Sequence, residues 1–130
     1  MNGSFWMICG SFSGFISVAM GAFGAHALSE KLSPKMLAVF HTAAQYQMFH
    51  ALALLALGIF AKAQPHVTTS APGWCFLFGT LFFSGSLYAL ALTDIKILGA
   101  ITPIGGVLFL AGWLTLALIS GGWMGGGRAF

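Results

Sequence analysis

The residues with the richest chemistry lie in one stretch of the chain. Thr42, Tyr46 and His50 are spaced four residues apart, and His41 and Gln45 flank them. In a helix this spacing places the three side chains on one face. A neutral histidine donates one hydrogen bond and accepts another, so such a face can bind a polar ligand or carry a proton. Which of these roles is open to it depends on the solvent around the helix.

Composition indicates that this solvent is a lipid bilayer. Of 130 residues, 58% are hydrophobic and only 5% are charged, and the mean hydropathy is +0.94. Soluble domains carry about 25% charged residues, which they need to cover a water-facing surface. The five Lys and Arg and the two Asp and Glu residues fall mainly at the ends of four hydrophobic stretches. The chain is therefore predicted to be an integral membrane protein.

Each of the four stretches approaches or exceeds the roughly 20 residues that a helix needs to cross the hydrocarbon core. The sequence predicts an all-α fold, a four-helix transmembrane bundle forming one domain over residues 1–130, with helices at about 5–28, 34–61, 74–92 and 98–120. Ser33 and Pro34 are typical of a helix start. Residues 62–73, rich in Pro, Thr and Ser, are typical of a loop.

Four spans place both termini on one side of the membrane, here called side A, and the first and third connections on the opposite side B. The numbers of Lys and Arg on the two sides are nearly equal, so they assign no orientation. The first and third helices end at side B, and the second and fourth begin there. Polar residues near those ends are therefore expected to meet.

A polar pocket open toward side B follows from this arrangement. Its candidate residues are His26, Gln45, Tyr46, His50, Ser84, Ser86 and Tyr88. These side chains are expected to point inward, because a polar group facing lipid loses hydrogen bonds at a cost of several kcal/mol. Two hypotheses stay open for the group. It forms a structural hydrogen-bond network, or it forms a site for a small ligand, a lipid headgroup, a partner helix or a proton.

Small residues form a second pattern, on the first helix. They are spaced 4, 3, 4 and 3 residues apart on one face, which lets another helix backbone approach closely: Gly10, Gly14, Ser17, Gly21 and Gly24. The pattern predicts packing within the chain, against the second or fourth helix, with Gly105, Gly106 and Gly112 as a facing surface. The alternative is a scaffold or assembly subunit that associates with another membrane protein or a second copy through this face.

Several function classes lack the residues that they need. Glu30 and Asp94 are the two carboxylates of the sequence and lie at helix ends, which excludes a paired-carboxylate site inside the membrane. No His and Cys spacing typical of a metal site occurs, and no glycine loop followed by Lys cradles a phosphate. The lysines form no basic run, so nucleic acid is not an expected partner, whereas membrane lipids are.

We therefore expect a non-enzymatic protein without a metal or another cofactor. A small transporter acting as a dimer is a third hypothesis. It is weakened by the sequence, because four helices are few for a transport pathway and no midplane carboxylate exists to couple protons.

Four motifs of the sequence resemble a known family. They are GAFGAHAL at 21–28, TAAQYQMFHALA at 42–53, FSGSLY at 83–88 and TPIGGV at 102–107. Together they resemble the YgdD-like family of small inner-membrane proteins, which has eukaryotic transmembrane relatives. The resemblance covers about residues 10–113 and implies a multi-pass protein of the bacterial inner (plasma) membrane. That family is a domain of unknown function, so the resemblance implies no catalytic residue.

Overall fold

The computed structural model describes residues 2–123, and over this range it consists of helices and short connections. The four α-helices are α1 (Gly3–His26), α2 (Pro34–Ala63), α3 (Ser70–Thr93) and α4 (Thr102–Ser120), and a short 3-10 helix (Lys96–Ala100) precedes α4. Four helical segments are long and apolar enough to cross a membrane, the last of them including the 3-10 helix. The predicted all-α, four-helix transmembrane bundle is confirmed.

Capping side chains set where α1 and α2 begin. The Asn2 side chain accepts a hydrogen bond from the backbone N–H of Phe5 at 3.0 Å, and the Ser33 hydroxyl accepts one from the N–H of Met36 at 3.2 Å. These contacts satisfy backbone donors that have no partner within the helix. With Asn2 as its cap, α1 begins at Gly3, two residues before the start expected from hydropathy.

The loop between α2 and α3 is shorter than the sequence predicts. We expect it to span residues 62–73, whereas α2 continues to Ala63 and α3 begins at Ser70. Pro72 fits this arrangement because the first turn of a helix needs no N–H from it. Thr69, just before α3, is buried and accepts a hydrogen bond from the indole N–H of Trp6 at 3.2 Å. This contact ties the start of α3 to the start of α1.

α2 is the central helix of the bundle. Half of an apolar 18-residue segment of α2 is buried. The corresponding values are 22% for α1, 28% for α3 and 17% for the span that includes α4. α1 and α3 both pack on α2, and α4 packs on α3. Side chains of α2 also reach α4, since the rings of His50 and Phe109 stack with their centroids 3.5 Å apart. A site that lies between α1 and α3 therefore has α2 as its inner wall.

Two apolar clusters form the core, one toward each side of the membrane. The cluster toward side A contains Trp6, Ala53, Leu54, Leu57, Phe76 and Phe109, and the cluster toward side B contains Leu28, Phe40 and Ala91. The buried polar side chains of the transmembrane helices are Ser13, Ser17, Gln47, His50, Ser84 and Ser86. Most of these lie between the two clusters, so the polar layer is near mid-depth. Helix direction alone had predicted a polar layer at the side B end.

The small-residue stripe of α1 does not behave as one surface. A Cβ atom added at Gly10 would lie 2.7 Å from the carbonyl oxygen of Ala51, so α1 and α2 are in close backbone contact there. Gly14 leaves ordinary van der Waals space, 3.8 Å from the Cβ of Ala51, and an added Cβ at Gly21 meets nothing within 4 Å. Only part of the stripe therefore packs tightly on α2.

Gly24 of α1 and the glycines of α4 contact different neighbouring helices. A Cβ at Gly24 would lie 2.8 Å from the ring of Phe40 in α2. The sequence suggested that the α4 glycines face α1, but in the structure they do not. Gly105 lies against Phe83 and Gly112 lies against Phe76, and both of these aromatic residues belong to α3. Each glycine set thus serves its own helix pair, α1 with α2 and α3 with α4.

Candidate functional site

A hydrogen-bonded set of three side chains connects α1, α2 and α3. The phenol of Tyr88 donates to the amide oxygen of Gln47 at 2.6 Å, and the amide nitrogen of Gln47 donates to the hydroxyl of Ser13 at 3.3 Å. Gln47 is only 6% exposed, so its amide is removed from lipid. Burial of an amide requires such partners, because an unpaired one is costly in an apolar medium. We call these three residues the polar triplet.

Two buried serines add contacts from side chain to backbone beside the polar triplet. Ser17 of α1 donates to the carbonyl oxygen of Ala44 at 2.7 Å, and Ser84 of α3 donates to the carbonyl oxygen of Ala43 at 2.8 Å. Both acceptors belong to α2, where small alanine side chains expose the backbone to its neighbours. These bonds fix the register of α1 and α3 on the central helix.

The polar triplet lies along a groove between α1 and α3. The groove has a volume of about 470 Å³, and all three residues of the triplet line it together with Ser84, Gly85 and Thr80. Its other lining residues are apolar or weakly polar and come from α1 and α3: Ile8, Cys9, Phe12, Ile16, Met20, Leu77 and Leu81. The groove therefore combines long apolar walls with hydrogen-bonding groups at its floor.

His50 belongs to a different environment, between α2 and α4. The indole N–H of Trp113 donates to its Nε2 atom at 3.0 Å, and its Nδ1 atom lies 2.7 Å from the carbonyl oxygen of Tyr46. Since an indole can only donate, Nε2 must accept, and the ring proton must be on Nδ1, where it is donated to Tyr46. Both ring nitrogens are thus engaged, which leaves neither available for a ligand or a proton relay.

The seven residues predicted to form one pocket are not brought together. Ser84 and Tyr88 line the groove, whereas His50 packs toward α4. Tyr46 contacts Phe83, with ring centroids 4.8 Å apart, and is 38% exposed. Tyr46 and His50 stack on each other, with ring centroids 6.4 Å apart, so these two are brought together, but away from Ser84 and Tyr88 in the groove. The seven residues do not form the single pocket that helix direction suggested.

Three further predicted residues lie outside the groove. The hydroxyl of Ser86 is 2.6 Å from that of Thr102, a contact that joins α3 to α4. His26, at the end of α1, is exposed, and so is Gln45. Exposed amides and imidazoles at these positions face the bilayer or its surface, and the polar-pocket hypothesis is therefore reduced to the residues around Gln47.

Two residues that define the site, Ser13 and Gln47, are not among the site residues predicted from the sequence. Gln47 is two positions from Gln45, which corresponds to about 200° around a helix, so the two amides face opposite ways. A usable signal was the pair of alanines before Gln47. Ala43 and Ala44 are buried on the same side as Gln47, where small residues permit close helix contact.

Among the residues that the structure describes, no charged side chain lines the groove. Asp94 and Lys96 form an exposed ion pair of 2.8 Å beyond the end of α3. The hydrogen bond and the charge of Lys96 hold the pKa of the Asp94 carboxyl below its ordinary value. Among residues 2–123, no group of three His, Cys, Asp or Glu side chains is placed to hold a metal ion.

The helices and their buried polar contacts define a four-span α-helical membrane protein, and comparison with known sequences gives its family. Residues 20–106 match the family described as "Protein of unknown function (DUF423)". The matched segment includes Gln47, Ser84 and Tyr88, and begins after Ser13. The chain belongs to this family.

Named relatives support the same assignment over a greater length. The chain is 52% identical over 113 residues to a UPF0382 membrane protein of Staphylococcus saprophyticus, covering 87% of this chain and 93% of the relative. It is 42% identical over 114 residues to the UPF0382 membrane protein YwdK of Bacillus subtilis, with the same two coverages. No solved structure is significantly similar to the chain. The chain is thus related to bacterial membrane proteins of unknown function.

Proposed function

We propose that this protein is a non-enzymatic, multi-pass protein of the bacterial inner (plasma) membrane that binds an elongated lipophilic ligand in the groove between α1 and α3. One observation carries the proposal: buried hydrogen-bonding side chains lie along a groove whose walls are otherwise apolar. Ligand sites in proteins commonly have this composition, with apolar walls and a few placed polar groups that orient the ligand.

The shape of the groove suits an extended ligand. Its lining runs along α1 from Ile8 to Met20, which corresponds to about 18 Å of helix. The lining along α3 runs from Leu77 to Tyr88, a similar length. A chain-like molecule can lie parallel to the two helices, with its apolar part against both walls. It would enter sideways from the lipid and would not need to pass through water.

The distribution of chemical groups favours binding over catalysis. Asp94 lies beyond the end of α3 and Glu30 lies between α1 and α2, both exposed and distant in depth from Gln47. Both nitrogens of His50 are already hydrogen-bonded. General acid and base catalysis needs such a group within hydrogen-bond reach of the reacting atom. The groove instead offers one amide, several hydroxyls and the single thiol of Cys9, with no carboxylate or imidazole beside them among its described lining residues.

The groove is also a better supported site than the outer face of α1. A second groove, of about 530 Å³, lies on that face, between α1 and α2, and includes Gly10, Gly14, Ala51 and Leu55. Its lining is almost entirely apolar and resembles a surface that contacts lipid tails. Association through the small-residue face would use this surface, but no buried polar group marks it for a specific partner.

Two glycines allow a matched test of the ligand groove. Gly85 lines the groove and Gly21 does not, and an added Cβ atom meets nothing within 4 Å at either position. Gly85→Leu should fill the groove without disturbing helix contacts, whereas Gly21→Leu adds the same side chain elsewhere. Purified protein in mild detergent is photolabelled with two diazirine probes of equal chain length, a long-chain methyl ester and a hydrocarbon, and labelled residues are mapped by mass spectrometry.

We expect at least one probe to label the α1 and α3 residues that line the groove. This labelling should fall at least tenfold in Gly85→Leu and stay unchanged in Gly21→Leu. If both probes label every lipid-facing surface equally, and Gly85→Leu changes nothing, the groove is an ordinary lipid-contacting surface and the proposed function is wrong.

A further inference from the structure

The polar triplet has more hydrogen-bond donors than its own contacts use. Its two hydroxyls carry one polar hydrogen each and the amide of Gln47 carries two, which gives four. Two of these are donated within the triplet, from Tyr88 to Gln47 and from Gln47 to Ser13. Within the part of the chain that the structure describes, the other two make no hydrogen bond.

This surplus does not depend on which way the amide of Gln47 is placed. Amide oxygen and nitrogen can exchange positions with little change in shape. In the reversed orientation Ser13 donates to the amide oxygen and the amide nitrogen donates to Tyr88. Two donors are again left, one on the amide and one on the phenol. The surplus of two is therefore a property of the three residue types and their contacts.

The surrounding backbone does not absorb these donors. The neighbouring carbonyl oxygens of Ala43 and Ala44 already accept from Ser84 and Ser17. An unpaired donor in a medium without water is costly, so a ligand that supplies an acceptor is favoured when it binds. In the orientation observed, the two leftover donors are on Gln47 Nε2 and Ser13 Oγ, atoms only 3.3 Å apart. A single oxygen with two lone pairs can accept from both.

Depth restricts what can bring that oxygen. Ser13 is ten residues from the start of α1, about 15 Å along the helix, and thirteen residues, about 20 Å, from its end. With a hydrocarbon core about 30 Å thick, the polar triplet lies near the middle of the bilayer. A charged headgroup is unfavourable at this depth. The hypothesis of a lipid-headgroup site therefore does not fit the position of Gln47.

We propose that the ligand is an uncharged lipophile that places a carbonyl oxygen against Gln47 and Ser13. This inference rests on the proposed function, namely that the groove between α1 and α3 is a ligand site. A carbonyl fits because it accepts two hydrogen bonds and donates none. Its chain lies along the apolar walls of the groove. Both a neutral long-chain ester and an isoprenoid quinone have this chemistry.

The test compares carbonyl-containing ligands with a hydrocarbon in the intact protein. The methyl ester and hydrocarbon probes described above are titrated against wild-type protein, and decylubiquinone, methyl palmitate and hexadecane are added as competitors. We expect methyl palmitate or decylubiquinone to displace groove labelling at a concentration at least tenfold lower than hexadecane. The better of the two identifies the source of the carbonyl.

A matched pair of variants tests the residue assignment. Gln47→Glu keeps the size of the side chain but removes the surplus, because both hydroxyls donate to a carboxylate, and at most one donor is left if the acid is protonated. In Gln47→Glu, the concentrations at which the carbonyl competitors and hexadecane displace groove labelling should differ by no more than about threefold. Gln45→Glu, an acid introduced two residues away on the exposed face of the same helix, should keep the tenfold preference.

The outcomes separate this inference from the proposed function. If hexadecane competes in the wild-type protein as well as both carbonyl compounds do, the groove binds chains without regard to a carbonyl, and the inference is wrong while the proposed function stands. If neither probe labels the groove, the proposed function itself fails. Should Gln47→Glu not accumulate, the competition in wild-type protein still decides the matter.

Discussion

Gly10→Ala is expected to destabilise the protein by about 1–3 kcal/mol, while Gly14→Ala and Gly21→Ala leave it within about 0.5 kcal/mol of wild type. The reason is the contact between α1 and α2. A Cβ at Gly10 would lie 2.7 Å from the carbonyl oxygen of Ala51 and 2.9 Å from the backbone nitrogen of Leu55. Backbone atoms cannot move aside as a flexible side chain does, so the two helices must separate.

This series also tests whether the stripe of small residues is one surface. The three substitutions are chemically identical, and the nearest contact of the added Cβ changes from 2.7 Å at Gly10 to 3.8 Å at Gly14 and to none within 4 Å at Gly21. Thermal unfolding in detergent should follow that order. Equal losses at all three positions would mean that the whole face is buried, as in an association with a second copy through α1.

Removing the imidazole of His50 is expected to lower the free energy of unfolding by about 1–3 kcal/mol without loss of ligand binding. His50→Leu leaves the indole N–H of Trp113 without its acceptor and removes a ring that stacks on Phe109. His41→Leu is the control, because His41 is an exposed histidine on the same helix. Its effect on unfolding should be within about 0.5 kcal/mol.

A double-mutant cycle separates the hydrogen bond from the loss of packing. Trp113→Phe alone leaves Nε2 of His50 unpaired, and the double variant removes both partners. The two effects should therefore be less than additive by about 0.5–1.5 kcal/mol. If His50→Leu unfolds like wild type but no longer binds the photolabelling probes, His50 is a ligand-binding residue, as the spacing of Thr42, Tyr46 and His50 had suggested.

The sequence predicted the bundle because hydropathy depends on composition more than on detailed geometry. Long uncharged stretches ending in residues such as Glu30, Lys62 and Asp94 define the spans whatever the packing. Only the ends of the helices differ from the prediction, and local contacts explain the starts of α1 and α3. The Asn2 cap extends α1 toward the N-terminus, and Pro72 is accommodated in the first turn of α3.

The site was harder to predict because it depends on how each helix is rotated about its axis. Both Gln45 and Gln47 are polar, and the pattern of Thr42, Tyr46 and His50 pointed to the face beside Gln45. The structure buries Gln47 instead, together with Ala43 and Ala44. Rotation is decided by which face permits close approach to α1 and α3, and this information belongs to the small residues and not to the polar ones.

Partner residues on other helices also decide the outcome. Ser13 has no distinguishing pattern within α1, where several serines and glycines occur. It becomes part of the site because α1 is fixed on α2 by the Gly10 contact and by the bond from Ser17 to Ala44. Such relations arise only when the helices are assembled, which is why hydropathy and spacing could locate the spans but not the polar triplet.

The most direct test of the ligand-binding account is a crystal structure grown in a lipid mesophase with the better carbonyl competitor. The account predicts continuous electron density along the groove from Ile8 to Met20, with a carbonyl oxygen within about 3.2 Å of the Gln47 amide nitrogen. A groove closed by direct contact between α1 and α3, or density there no stronger than on the outer α1–α2 face, would contradict it.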